Sequence, residues 1–590
     1  MLEIPALIPD CFGKGPAMIK LLKQKIKLSS SAKKIWIPTI LGLLITFIFY
    51  EANLKKPPVI EQLGNLMFDS YQKRLPREYN NDQPVSIVDI DEESLIRLGQ
   101  WPWPRTLMAE LNNRLTDAGA VVIAYDVIFS EADRTSPENL LKTLKDNPTA
   151  KGEFENIKAL TGHDELFAQS FQKYSWATEG PTRVVPGYFL IKKETEQRPR
   201  TCCLIWTGTP STDEIDNYYG AIMPLPKFLE NASGQGYVSF NPAGDGIVRT
   251  APLISRIPDK QDRIADKYHR ALSLEAIRVL HNPRMNTYIQ SGNSQDEASG
   301  FMEALDSKNT SVASIKIGDF KIPVDKKGYF RVYFSKPLAE KDDPRYVSAW
   351  QILSDDPDMQ GWKDKILGRI VFVGTGAEGL KDIVATPVAP AAPGVLVHAQ
   401  VAEQILSEVY LRRPYWIEFA ELVILIISGL VLAFALPRLS AAKGAILSAL
   451  LGGGVAYGSW HVFANNQLLF NPIYILLAVL TTYVAMTLLS FYLTESERSR
   501  IRSAFSMYLS PAMVKKVSED PSLLSLGGVE RNMTVLFLDI RSFSKISEAL
   551  TPQEITTFLN IFLTPMTNLL QQGKATIDKY IGDAIVAFWN

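Results

Sequence analysis

The residues best placed to do chemistry lie near the C-terminus. Met533-Thr534-Val535-Leu536-Phe537-Leu538 is an apolar run that ends on the carboxylate of Asp539. Farther on, Thr576 to Tyr580 and Ile585 to Trp589 flank Ile581-Gly582-Asp583-Ala584. The first run reads as a buried strand and the second pair as a hairpin with Asp583 at its tip, beside the end of the Asp539 strand. Two carboxylates can thus converge on rigid neighbouring strands. Hard Mg²⁺ ions take oxygen ligands and share them with substrate phosphates, so such a pair suits a two-metal site of the kind nucleotidyl transfer requires. Taken alone, an Asp at a strand end is commonly a turn former, and the surrounding residues lift both above that reading.

The elements between the two aspartates must hold that geometry. Thr551-Pro552-Gln553-Glu554 supplies an N-cap, a proline at the first helical position and a capping-box glutamate. Ile555, Phe558, Leu559, Phe562, Leu563, Met566, Leu569 and Leu570 make one apolar helical face, and Gly573 is expected to stop the helix. Upstream, Thr494 to Arg502 is a charged helical stretch suited to a mechanical connector. Ala504, Phe505, Met507, Tyr508 and Leu509 add an apolar stripe on which helices of two chains can pack, over too few heptads to define a coiled coil.

Phe537-Leu538-Asp539-Ile540-Arg541-Ser542-Phe543-Ser544 and Asp578-Lys579-Tyr580-Ile581-Gly582-Asp583-Ala584 closely resemble the class III adenylyl and guanylyl cyclases. The resemblance covers residues 531–590 and implies part of a ferredoxin-like palm. It implies that Asp539 and Asp583 are the catalytic metal-binding pair, that the Ile540 carbonyl is a further ligand of two Mg²⁺ (or Mn²⁺) ions, and that N–H groups of Arg541, Ser542, Phe543 and Ser544 meet substrate phosphates. One ion would help deprotonate the ribose 3′-hydroxyl and the other would grip the triphosphate, so that in-line attack on the α-phosphorus releases pyrophosphate. Lys579 falls on the base-selecting position. A lysine donor there suits the adenine N1 acceptor and points to ATP rather than GTP. The family builds its sites between two subunits, so a homodimer is implied. The second base-contacting position and the transition-state asparagine and arginine do not appear before Asn590, so a truncated catalytic domain, inactive by itself, is expected.

Four apolar runs bear on the membrane. Ile35 to Tyr50 is uncharged and follows Lys20, Lys23, Lys25, Lys27, Lys33 and Lys34; with no small-residue cleavage pattern after it, a retained signal anchor is expected over a cleaved signal peptide. Trp416 to Leu436, Gly444 to Ala464 and Leu468 to Leu493 are three closely spaced spans. Arg438 and Lys443 lie in one connection and Arg498, Arg500 and Arg502 follow the last span, which places these segments and both termini in the cytoplasm of a multi-pass protein of the plasma (inner) membrane. Arg412 and Arg413 run against the rule, but long domains translocate largely regardless of charge. Glu418, Glu421 and His461 lie close enough to span ends to snorkel to the interface.

The expected segments are 1–34 as a basic cytoplasmic N-terminus, 35–50 as an anchor, 51–414 as an extracytoplasmic domain, 415–493 as three membrane helices, 494–530 as a linker helix and 531–590 as the cyclase portion. Within 51–414, Val85 to Ile90, Glu93 to Leu98, Leu107 to Ala118 and Val121 to Phe129 read as strand, helix, helix and strand. Ile370 to Gly374 and Val397 to Leu406 repeat the strand and helix, giving an α/β sheet covered by helices. Gly374-Thr375-Gly376 reads as a tight turn rather than an anion cradle. Trp101-Pro102-Trp103-Pro104-Arg105 reads as packing over a core, with ligand contact as the alternative. Asp89, Ser94, Gly99, the Trp101 to Arg105 segment, Gly119, Ala120, Asp126, Asp245, Gly246, Arg249, Gly374, Asp382, Thr386, Pro387, Gly394, His398 and Ala399 resemble the second-type CHASE sensory domain. That resemblance implies an input module for an extracytoplasmic signal that it does not specify.

Composition sets the outer bounds. With 62 Lys+Arg against 63 Asp+Glu, nothing favours a nucleic-acid partner. The three cysteines, Cys11, Cys202 and Cys203, build neither a disulfide framework nor a cysteine metal site. The expected fold class is multi-domain α/β with transmembrane helices: an α/β extracytoplasmic sensor, a four-span region in the lipid bilayer and a partial ferredoxin-like palm. The expected function is a sensor-coupled adenylate cyclase converting ATP to cyclic AMP. The alternatives are a non-catalytic receptor retaining a cyclase remnant and a guanylate cyclase. A diguanylate cyclase is disfavoured because no Gly-Gly-Asp-Glu-Phe-like hairpin appears.

Overall fold

The computed structural model describes residues 30–78, 84–144, 160–200, 204–207, 214–240, 242–258, 267–291, 312–337, 343–380, 382–505 and 530–589. The lysines before residue 30, all three cysteines and the stripe residues Met507, Tyr508 and Leu509 lie outside the described residues. Helices α1 (Ser30–Lys55) and α2 (Pro58–Arg74) open the described chain, followed by β1 (Val85–Ile90), α3 (Glu92–Leu98), α4 (Arg105–Asp117), β2 (Val122–Tyr125), β3 (Arg183–Ile191), β4 (Gly220–Ile222) and α5 (Leu272–His281). Then come β5 (Tyr346–Ser348), β6 (Ile370–Thr375), α6 (Gly394–Leu406), α7 (Tyr415–Ala435), α8 (Ala441–Asn466) and α9 (Ile473–Phe505). The last elements are β7 (Thr534–Leu538), α10 (Phe543–Glu548), α11 (Pro552–Gln572), β8 (Thr576–Ile581) and β9 (Ala584–Trp589). Two compact units result: Tyr50–Leu425 with Gly452–Leu476, and Met1–Phe49 with Ile426–Leu451 and Leu477–Asn590.

In the first unit the strands order as β5-β1-β6-β2-β3-β4, with Gly236–Tyr237 pairing beside β3. The first five are mutually parallel and β4 is antiparallel to β3. Every residue of β1, β2 and β6 is buried, as a parallel strand covered on both faces must be. Alternate residues feed separate cores. Val85, Ile87, Val122, Ala124 and Phe372 pack with α5 and α6. Val88, Ile90, Ile123, Tyr125 and Val371 pack with α4 and with Phe167 and Phe171. The expected α/β sheet between helical layers is what forms. Gly376 sits against the Asp89 carboxylate with no room for a Cβ, so the turn after β6 needs glycine at that position.

Helix α2 lies across this unit. Its Asp69 takes the Arg249 guanidinium in two bonds of 2.8 and 2.7 Å, and Gln72 accepts the Phe334 N–H at 3.1 Å. On its other side Tyr71 meets Trp460 and Phe463 at ring distances of 5.2 and 5.3 Å, and Tyr474 donates to Glu61 at 3.0 Å. A Cβ on Gly64 would come within 2.7 Å of Asn471, so glycine permits this close approach.

Among the described residues, four helices are long and apolar enough to cross a membrane: Ile35–Lys55, Trp416–Arg438, Ala441–Asn466 and Ile473–Ser496. The last starts later than the run from Leu468 suggests. Leu469 donates its N–H to the Arg412 carbonyl at 2.9 Å, and Asn471 accepts the Ile473 N–H at 3.2 Å, so residues 468–472 form a connection ahead of the helix. Helix α9 continues through the charged stretch to Phe505. Glu418 pairs with Lys56 at 2.7 Å and is 35% exposed. Glu421, by contrast, is 2% exposed, pairs with Arg413 at 3.0 Å and accepts the Asn471 N–H at 2.6 Å. Its side chain is thus held by neighbouring residues of the same unit instead of lying exposed.

In the second unit, α1 and α7 approach through small residues, with a Cβ on Gly42 reaching Ala433 at 3.0 Å. The C-terminal elements make an antiparallel sheet ordered β7-β9-β8. Ile577, Ile585 and Ala587 pack beneath Leu563, Met566 and Leu570 of α11.

Candidate active site

The capping box forms as written. Thr551 accepts the Glu554 N–H at 3.4 Å while Glu554 accepts the Thr551 N–H at 2.9 Å, and these bonds hold the exposed Glu554 carboxyl below its usual range. At the far end the helix stops at Gln572, but Gly573 has φ −71° and the left-handed residue is Lys574, at φ 65°. The helix thus ends at the expected glycine, and only the left-handed conformation falls one residue later, where Ala575 donates back to the Leu570 carbonyl at 2.9 Å.

Helix α11 fixes the sheet, and the sheet fixes the aspartates. Strands β7 and β9 pair from Thr534↔Trp589 to Leu538↔Ile585. Asp539 is the next residue past the last couple, and Asp583 lies two residues before Ile585, so both stand at the same end of the ladder. Strands β8 and β9 join through Gly582 and Asp583 alone, since Ile581 pairs with Ala584. Gly582 takes φ +66°, and glycine with positive φ at the first position of a two-residue turn is the type II′ solution. Asp583 is thereby held at the tip, as the sequence predicts.

The strand-to-helix corner is equally tight. Asp539 Oδ1 accepts the Ile540 N–H at 3.0 Å, the Ile540 carbonyl accepts the Phe543 N–H at 3.2 Å, and Ser542 adopts φ 63° as the N-cap of α10. Of the N–H groups expected to meet phosphate, that of Phe543 is thus already used within the turn. The Ile540 carbonyl keeps a second lone pair. Phe543 stacks on Phe558 at 6.4 Å, which ties the corner to α11.

Lys579 depends on a feature the sequence reading did not find. Ile577 pairs with Ala587 and Lys579 with Val586, so Asp578 is a bulge residue. Lys579 is 60% exposed and its Nζ lies 3.4 Å from the Asp578 carboxylate. Tyr580 turns toward α11, its hydroxyl 2.9 Å from that of Thr567. Two carboxylates and one carbonyl are hard oxygen donors on a rigid corner. That set fits Mg²⁺ or Mn²⁺ ions that complete their shells with water and substrate phosphate. Among the described residues, no group of three or more His, Cys, Asp or Glu side chains gathers into an all-protein cage.

Comparison with known proteins bears on both units. The model of the CHASE2 domain matches residues 40–435, more than half of the chain. The chain belongs to the CHASE2 domain family. Beyond the CHASE2 domain, residues 529–589 match the adenylate and guanylate cyclase catalytic domain. The chain is similar to an adenylate cyclase of Anabaena cylindrica, 48% identical over 60 residues that make up 10% of this chain and 12% of that protein. It is also similar to adenylate cyclase 1 of Rhizobium meliloti (strain 1021), 27% identical over 86 residues, 15% of this chain and 13% of that one. The chain thus spans only a small part of the length of the curated relatives it matches. A CHASE2 domain, four candidate membrane helices and a cyclase catalytic match together fit a membrane class III cyclase.

Proposed function

We propose that the protein is a membrane adenylate cyclase, forming cyclic AMP and pyrophosphate from ATP under the control of an extracytoplasmic CHASE2 sensor. The observation that carries this reading is the convergence of Asp539 and Asp583 at one end of the β7–β9 ladder, inside the segment that matches cyclase catalytic domains. In this proposal residues 51–414 face outward, 415–493 and the first helix cross the bilayer, and 531–590 belong to a ferredoxin-like palm that works as a homodimer. Asp539, Asp583 and the Ile540 carbonyl hold Mg²⁺ or Mn²⁺. Bound there, the ions supply charge neutralisation of the triphosphate and acidify the ribose 3′-hydroxyl. The chain's own part is placement: the N–H groups of Arg541, Ser542 and Ser544 at the corner meet phosphate oxygens, the Phe543 N–H being used within the turn, and Lys579 donates to adenine N1. Holding the 3′-oxygen in line with the α-phosphorus supplies most of the remaining rate.

Two experiments test it. Membranes carrying the whole protein, supplied with Mg²⁺ or Mn²⁺, should form cyclic AMP from ATP in excess of cyclic GMP from GTP; equal or inverted preference would replace this reading with the guanylate one. An impermeant thiol reagent on intact cells should modify a cysteine introduced at an exposed position between residues 51 and 414, and labelling only after permeabilisation would reverse the orientation.

A further inference from the structure

The CHASE2 domain holds a cleft that catalysis does not use. Trp101, Pro102 and Arg105, at the start of α4, face the segment from Val127 to Glu131 that leaves the carboxyl end of β2, and together they enclose about 240 Å³. In open parallel sheets, ligands bind in the crevice outside the carboxyl ends of the strands. Trp103 packs as expected, 2% exposed, with its indole N–H on the Gly99 carbonyl at 2.9 Å. Trp101 stands edge-on to it at 5.5 Å and, half-buried, forms a wall of the cleft.

Arg105 is the unusual member. Its side chain is 9% exposed, and its Nε lies 3.6 Å from the Asp164 carboxylate without a hydrogen bond. Its Nη2 reaches the Glu131 carbonyl only at 3.5 Å, and the guanidinium lies 4.6 Å from the centroid of Phe129. Burial draws Arg105 below its ordinary pKa against the opposing pull of Asp164 and Asp133. Those acids are engaged elsewhere. Asp133 accepts the Arg105 and Thr135 backbone N–H groups, each at 2.8 Å, and pairs with His163 at 3.1 Å; Asp164 accepts the Asp133 N–H at 3.1 Å. The result is a fixed fork of donors, short of acceptors, in a cleft bordered on one side by Trp101 and Pro102 and on the other by a segment that includes Ile128, Ser130 and Glu131. Such a fork matches a carboxylate two bonds at a time, and a few placed polar groups among apolar ones is the usual make-up of a small-molecule site.

We propose that this cleft binds a small organic acid, with its carboxylate on the Arg105 fork and its apolar body against Trp101 and Pro102. The test is binding of 4-fluorobenzoate to the purified whole protein, followed by fluorine NMR. Saturable binding is expected, competed by benzoate and not by benzamide. It should weaken about tenfold or more in Arg105→Gln and severalfold in Trp101→Ala. Because Arg105 also supports Phe129, thermal melting of each variant is measured alongside, and Trp101→Ala at the rim carries the test if Arg105→Gln does not fold. Absence of saturable binding, unchanged affinity in the folded variants, or equal competition by benzamide would overturn the site. Displacement by inorganic phosphate as strongly as by benzoate would overturn the organic-acid assignment. Binding is read without turnover, so a protein that binds the probe but forms no cyclic AMP removes only the cyclase reading.

Discussion

Arg77 and Glu403 meet at 2.7 Å with side chains only 5% and 1% exposed. Arg77 follows α2, and Glu403 lies on α6. The same carboxylate oxygen takes Arg345 at 3.2 Å, and Arg345 is held in turn by Asp343 at 2.6 Å. Gln400 accepts from Arg77 at 2.8 Å and from the Ser335 N–H at 3.2 Å. One buried carboxylate thus anchors two guanidinium groups and fixes the end of α2 to the body of the CHASE2 domain.

Removing that carboxylate takes from Arg77 the acid it pairs with and from Arg345 one of its two. Glu403→Ala is expected to destabilise the domain by about 3–5 kcal/mol, the range for breaking a buried pair. Denaturant unfolding measures it. Arg77→Met combined with Glu403→Ala should cost clearly less than the sum of the single changes, because the partners share one interaction.

His398 gives the CHASE2 domain an acid limit. It is fully enclosed, with Phe240 at 4.4 Å and Phe372 at 6.5 Å, and burial pushes its imidazole down to about 3. Above the ordinary histidine pKa of about 6.5 neither state binds the proton, so His398 adds no pH dependence. Below it the unfolded chain takes a proton that the folded one refuses, and stability falls until the pH reaches about 3. The loss should reach about 2 kcal/mol by pH 5, and His398→Gln should flatten unfolding curves between pH 7 and pH 5.

At the candidate active site, Asp539→Asn and Asp583→Asn preserve local volume and remove the charge that would hold Mg²⁺. Cyclic AMP formation by the whole protein should drop roughly 100-fold or more, the effect of losing several kcal/mol of transition-state stabilisation. The far-ultraviolet circular dichroism should stay unchanged. Folded variants with undiminished metal-dependent turnover would remove both aspartates from the site.

Lys579→Glu exchanges a donor for an acceptor at the base. The ratio of cyclic AMP to cyclic GMP formed from equal ATP and GTP should shift toward GTP. An unchanged ratio would relieve Lys579 of the selecting role.

Strands β1 and β6 and helix α11 were legible because their signals are local: unbroken apolar runs for the strands, a capping box and one apolar face for the helix. The Asp583 tip was legible for the same reason, through Gly582. The buried ion cluster was not, because Arg77 and Glu403 are 326 positions apart and nothing in either neighbourhood names the other. The Glu421 pairing was not legible either, since its partner Arg413 looked like an exception to the charge rule. The left-handed turn at Lys574 was missed because glycine is the stronger local signal for that conformation. The Asp578 bulge has no composition cue at all; it exists only once β8 and β9 are in register.

That bulge changes the parity of the strand. Side chains alternate faces along β8, and Ile577 points to the α11 side with Ala587, both fully or nearly fully buried. Counting by twos from Ile577 would send Lys579 into the same packed layer and turn Tyr580 away from it. The unpaired residue at 578 inverts the count, so Lys579 emerges on the open face and Tyr580 reaches Thr567. Pairing Asp578 in regular register would therefore exchange the faces of Lys579 and Tyr580, whereas deleting it would set Lys579 directly after Ile577 and leave both side chains on the faces they now occupy.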